Sequence, residues 1–158
     1  MKKLFPVLLL LATVTFLACP AESDDPATLQ INFKTTYDGA PLVMLDQEYT
    51  YPDGNPLKVQ VFNYYISNLG LTKGLGIVEA LSEVDLLDFS EIYTQADAER
   101  GIVRLYEEVP SGTYDGLTFG LGVAEDLNAT TPSDYEGGHP LSSNHWTGLS
   151  SYVFAKIE

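Results

Sequence analysis

Leu117, Phe119, Leu121 and Val123 recur at every second position in the run PSGTYDGLTFGLGVAEDLN, residues 110–128. Period two is the repeat of a β-strand, and no stretch of the chain sustains the 3.6-residue apolar period of an amphipathic helix. Strand-like runs recur instead between turns rich in Gly, Pro and Asp. That pattern restricts the chain to an all-β class, read here as an antiparallel β-sandwich of immunoglobulin-like kind with a long loop before the last strand. Between the four apolar residues stand Thr118, Gly120 and Gly122, so the other face of the strand is nearly bare. The alternation predicts that Leu117, Phe119, Leu121 and Val123 form its buried face. Glycines weaken a strand, and their use here predicts either close approach by another segment or a bend. Past Val123 the chain turns acidic and polar, and this loop carries both histidines and the only tryptophan. A rigid strand that delivers a polar loop is a common foundation for a site.

The remaining runs fit the same class. Residues 28–35 (TLQINFKT) alternate Leu29, Ile31 and Phe33 against polar neighbours and predict a clean strand. Leu57, Val59 and Val61 predict a second strand, which runs without a breaker into FNYYISNLGL, residues 62–71. So long a β-rich stretch predicts one bent strand, or two joined at a bulge, apolar on both faces near Tyr64 and Tyr65. Residues 74–83 read as a loop with a helical turn, 84–89 as a strand, 91–100 as a loop or short helix, and 101–109 as a strand. Residues 152–157 (YVFAKI) read as the final strand. Because the chain stops inside it, at Glu158, an incomplete domain is expected.

The first residues belong to no folded body. Lys2 and Lys3 precede an apolar run, residues 4–18, that is too short and wrongly flanked for a membrane span, so residues 1–18 read as a signal peptide. The run ends Phe16-Leu17-Ala18-Cys19, which resembles a bacterial lipobox with Phe16 where Leu is usual. The resemblance implies cleavage before Cys19 and lipidation of its thiol. Cys19 is the only cysteine, so no disulfide can form within the chain. Residues 19–27 form an acidic tether. Its Ser23-Asp24-Asp25 resembles the export signal that sends some Bacteroidetes lipoproteins to the cell surface. Removing the leader takes two lysines and no acid, leaving the mature chain more acidic than the −14 of the whole sequence. Such a balance argues against nucleic acid and anionic membrane surfaces as partners; it suits cations, or simply solubility.

Four stretches together carry a family resemblance: the opening strand ending in Phe33, FNYYISNLGL, PSGTYDGLTFGLGV, and HWTGLSSYVFAKIE at residues 145–158. They resemble the MbnP-like domain, in which a Tyr-Ile-Ser-Asn segment precedes Gly-Thr-Tyr…Phe-Gly-x-Gly-Val. A Trp-x-Trp…Gly-Tyr-x-Phe segment ending in Ile or Leu, Glu and Gly follows in that family. Trp146 matches the first Trp of its pair, Gly148 stands at the second, and Ser151 replaces the Gly before Tyr152. The resemblance covers most of residues 28–158. It implies a β-sandwich, export to the bacterial cell envelope and, for the studied members, copper bound by two histidines together with an oxidised tryptophan.

His139 and His145 lie six residues apart in GGHPLSSNHW and are the candidate copper ligands. Imidazole suits copper, although a loop can place such side chains almost anywhere, and polar-loop histidines are commonly just solvated. Trp146 is either the metal-adjacent indole that the resemblance implies or an aromatic that anchors the loop on the sandwich. Met44, between Val43 and Leu45, reads as core filling rather than as a soft ligand. Glu125, Asp126, Asn128, Asp134 and Glu136 gather oxygens in one loop, without the order of an EF-hand. There is no G-x-S-x-G elbow, no cysteine free to act as nucleophile and no HExxH, so no enzyme activity is expected. The reading is an exported, lipid-anchored copper-binding protein of uptake, storage or delivery, periplasmic or surface-exposed on the outer membrane. The competing reading is a surface lipoprotein module that recognises a glycan or a protein through residues 124–148 without metal.

Overall fold

The structure, a computed structural model, describes residues 25–158. The signal peptide, the Cys19 anchor and most of the acidic tether lie outside the described residues. In chain order the strands are β1 (Ala27–Phe33), the short β2 (Thr36–Tyr37) and β3 (Ala40–Pro41), and β4 (Tyr49–Thr50) and β5 (Pro56–Leu57). The long β6 (Phe62–Lys73) and β7 (Ile77–Asp88) follow, then β8 (Ile102–Val109) and β9 (Gly116–Leu121). The chain ends through β10 (His145–Trp146), β11 (Ser151–Tyr152) and β12 (Ala155–Ile157), with two short helices, α1 (Gln95–Arg100) and α2 (Glu125–Asn128), between strands.

β6 is the spine of the main sheet. β7 pairs antiparallel along one side of it, while β9 and β12 share the other side in succession. Of the two alternatives, one bent strand or two joined at a bulge, residues 62–73 form a single strand with an irregularity within it. The β6–β7 register shifts between Leu69 and Gly70, and Asn68 takes a φ of 52° just before it. Any side chain at Gly70 would meet Val78 Cγ1 at 2.5 Å. Of the segment 74–83, read as a loop with a helical turn, the helical turn is found at Gly74–Gly76, but the rest is the first half of β7 rather than loop. Pairing of Ile77 with Lys73 sets that half into the sheet; local alternation alone does not reveal it.

β1 and β8 form a second, two-stranded antiparallel sheet packed over the first. Ile31, Phe33, Ile102 and Tyr106 turn inward onto a core of Met44, Ile66, Leu69, Leu87 and Phe89. Met44 is fully buried there, as the sequence indicated. A second core lies on the opposite face of the main sheet, where Tyr65, Val84 and Val123 meet Leu141 and Tyr152 of the late loop. Adjacent residues in a strand point to opposite faces, and Tyr64 and Tyr65 accordingly serve different cores. The architecture is a sandwich of unequal sheets with a long loop packed on its back.

Three expectations need correction. The segment 57–61 is strand only at Pro56–Leu57; beyond it, Gln60 and Val61 donate their N–H groups to the Glu158 carbonyl outside any regular ladder. The final strand is split into β11 and β12, because Phe154 breaks the run between them. Leu117, Phe119 and Leu121 are exposed, and only Val123, just beyond β9, is buried. The alternation did predict the strand, but the facing sheet is two strands wide and does not reach over β9. The glycine expectation holds: Cβ atoms at Gly120 and Gly122 would each come within 2.8 Å, of Ser67 Oγ and of the Phe154 ring.

Candidate functional site

After Val123 the chain crosses the back of the main sheet in short turns, each closed by its own polar side chains. Asn128 Oδ1 accepts from the Tyr152 N–H at 3.0 Å, which ties α2 to the last hairpin. Thr131 and Asp134 form a reciprocal cap around Pro132–Asp134, with Asp134 Oδ2 accepting from the Thr131 N–H at 2.8 Å. Two of the five oxygen-bearing side chains noted in the sequence are therefore engaged in holding the loop. Among the described residues no three His, Cys, Asp or Glu side chains gather in a metal-binding arrangement.

Two tyrosines from below fix the segment that carries the histidines. Tyr65, fully buried on β6, places its hydroxyl 2.9 Å from the Pro140 carbonyl and 3.0 Å from that of Ser143. Tyr152 donates to the Leu141 carbonyl at 2.9 Å. Buried carbonyls of an irregular segment need such donors, since no ladder satisfies them. Burial pushes the Tyr65 phenol up to about 12, with the nearby Tyr152 phenol as a smaller cause. Burial raises that of Tyr152 as well. Both therefore remain donors throughout the physiological range.

The two imidazoles sit in different surroundings. His139 precedes the turn Pro140–Ser142 and caps it, its Nδ1 accepting from the Leu141 N–H at 3.1 Å. Its ring stacks on Tyr135, with centroids 4.2 Å apart and planes 7° from parallel. His145 opens β10 opposite Tyr152 and meets that ring edge to face at 5.0 Å. Its Nε2 is shut off from solvent and has no hydrogen-bond partner. Among the described residues no direct contact joins the two rings. Trp146 turns outward and is 57 % exposed, its indole Nε1 lying 3.0 Å from where a Cβ on Gly148 would stand.

These environments decide what each nitrogen can do. A neutral imidazole has one lone pair, on the nitrogen that lacks the proton. Because His139 Nδ1 accepts a hydrogen bond, its proton is on Nε2, and ligation through either nitrogen must first give up the Leu141 cap. His145 meets no such condition at Nε2, an orphaned buried polar atom of the type that ordinarily has a partner. A metal reaches that atom only if the packing around His145 opens, and ligation by His139 requires its turn to rearrange.

Sequence reasoning missed Asp85 and Arg104, which line a cleft of about 280 Å³ with His139, Ser142 and Ser143. Arg104 reaches from β8 to hold both carboxylate oxygens of Asp85 at 2.6 and 3.1 Å, and also donates to the Leu86 carbonyl at 3.1 Å. That pairing raises the guanidinium pKa further. The available signal was a charge on the inward side of an alternating strand, between Ile102 and Tyr106.

The model of the MbnP family matches residues 26–158, all of what lies beyond the leader and tether. No curated protein and no solved structure matches the chain.

Proposed function

The chain belongs to the MbnP family, and from that membership we propose that it is an exported, lipid-anchored copper-binding protein in the uptake, storage or delivery of the metal. The observation within the structure that supports this reading most directly is the buried, unpartnered Nε2 of His145. His145 is the anchoring ligand, and His139 joins it when the Leu141 N–H is released from Nδ1. Trp146, next in sequence and open to solvent, is the adjoining indole. When bound, copper adds a Lewis-acidic and redox-active centre at the loop; the protein's own part is to hold the donors in place through Tyr65 and Tyr152. Cys19 fastens the domain to the outer membrane of a bacterial envelope, and no catalytic role is assigned.

Titration with Cu(I) and Cu(II) tests the reading. One equivalent is expected to bind, with His145→Phe abolishing it and His139→Ala weakening it. The apo protein carrying His145→Phe should keep its stability within about 0.5 kcal/mol, because an unsatisfied buried nitrogen is replaced by an apolar edge. Stoichiometric binding unaffected by either substitution would remove both residues from the site. The exposure of Trp146 supports a second reading, a metal-free surface module that offers an aromatic face to a glycan or protein; absence of any copper binding would favour it.

A further inference from the structure

The turn between β6 and β7 carries a residue that neither packing nor turn chemistry asks for. Leu75 and Gly76 take φ of 65° and 77° in succession, the backbone of a tight hairpin turn whose first place Asn or Asp ordinarily fills. A leucine resists that left-handed conformation. Leu75 is fully exposed at the tip, so no burial offsets the cost. The glycines on either side touch nothing, and a Cβ on Gly74 or Gly76 would find open space. The chain enters the fold at this same end. Ser111 Oγ donates to the Asp25 carbonyl, and a Cβ on Gly112, next along, would stand 3.4 Å from Lys73 Cε. Lys73 closes the hairpin by pairing with Ile77, and its ammonium lies 5.1 Å from the centre of the Tyr114 ring. Asp25, Ser111, Lys73 and Leu75 therefore follow one another along one end of the sandwich. Glu158, paired with Val61, stands beyond the other end of β6, about 35 Å away at roughly 3.3 Å per residue.

We propose that this end of the domain faces the bilayer and that Leu75 enters the interface of a neutral lipid surface, a contact that rests on the lipid-anchor reading of Cys19. Six residues from Cys19 to Asp25 span at most about 20 Å, so a lipid on Cys19 holds the Asp25–Ser111 clamp within that distance of the membrane. Leu75 stands two residues beyond Lys73 at the same end and is within reach of the same surface. Tyr114 and Lys73 suit the boundary, an amphipathic ring beside a long side chain whose ammonium can extend to the headgroups. Charge selects the lipid. Asp25 is held by Ser111, Glu79 lies opposite Leu71, Glu107 and Glu108 end β8, and the Asp115 N–H donates to the Thr72 carbonyl. These acids outnumber Lys73, so anionic headgroups repel this end and a neutral surface receives it. One exposed leucine does not hold a domain at a membrane by itself. Beside a covalent lipid it strengthens an attachment already made.

The mature chain from Cys19, its thiol alkylated with a single tetradecyl chain, tests the contact, because one such chain binds vesicles only marginally. Phosphatidylcholine vesicles are expected to bind it about fivefold more tightly than its Leu75→Asn variant. The thermal midpoint of that variant should be equal or higher, since Asn suits the turn. Leu75→Trp in a Trp146→Phe background should be quenched by brominated lipid, whereas Lys156→Trp, opposite Asn63 at the far end, should not. Adding phosphatidylglycerol should weaken binding. Equal partition of the two forms, equal quenching at both ends, or tighter binding to anionic vesicles would overturn the proposal. A Leu75→Asn variant that melts lower would also overturn it, by giving Leu75 a structural role. The mass of the protein extracted from membranes decides the anchor separately. An unacylated Cys19 removes the anchor and this contact together, whereas an acylated Cys19 with equal partition removes the contact alone.

Discussion

Tyr65 is the single side chain on which the geometry of the late loop most depends. Its hydroxyl serves the carbonyls of Pro140 and Ser143, and its ring meets that of Tyr152 edge-on with centroids 6.0 Å apart. Tyr65→Phe keeps the ring and removes the one hydroxyl proton that the two partly buried carbonyls share, so a loss of about 1 kcal/mol in urea unfolding is expected. The same residue predicts an alkaline limb. Its folded-state pKa, about 12, lies above the ordinary value of 10.0, so the fold favours the neutral phenol. That contribution is fully present below pH 10 and is lost as pH rises through 12, because the unfolded chain ionises first. Denaturation midpoints measured across that window should fall with pH, and fall less steeply in Tyr65→Phe. Equal slopes would show that Tyr65 is not what the fold keeps neutral. The histidines illustrate the opposite case, in which residue type was legible and role was not. Which nitrogen is free depends on Leu141 in one and on burial in the other, and neither is visible in GGHPLSSNHW.

At the level of elements, β9 and its glycines were legible as a strand that something approaches closely. Gly122 takes a φ of 104°, and a Cβ there would meet the Phe154 ring at 2.8 Å. Gly122→Ala therefore combines a left-handed backbone with a clash, and should destabilise by about 1–3 kcal/mol. Gly54, at a φ of 90° with nothing within 4 Å, supplies the control, because its Ala variant bears only the backbone cost. Thermal melts in which the two variants fall equally would remove the Phe154 contact from the account. Between the sheets, Arg104 of β8 and Asp85 of β7 form a two-point ion pair whose side chains are 34 and 14 % exposed. Partial exposure screens it, so a double-mutant cycle with Arg104→Met and Asp85→Asn should give a coupling of about 1–2 kcal/mol. A cycle that closes near zero would mean that apolar packing alone holds the small sheet in place.

For the whole molecule, two sheets of unequal width explain why one face of β9 is open and why the late loop has a surface of its own to lie on. Alternation in residues 28–33, 62–71 and 117–121 determined that the chain is built of strands, since period two admits few other solutions. The Tyr64-Tyr65 step determined that the spine is buried on both faces. The ordered stretches ending in HWTGLSSYVFAKIE placed it in the family that the match over residues 26–158 shows. What alternation cannot carry is which apolar face finds a cover, because that depends on how many strands the opposite sheet contains. Nor can it place side chains of an irregular loop, whose positions follow from long-range hydrogen bonds such as those of Tyr65, 75 and 78 residues from its acceptors. Local pattern fixed the strands; the width of a distant sheet and two buried hydroxyls decided where the exposed side chains of β9 and the histidines lie.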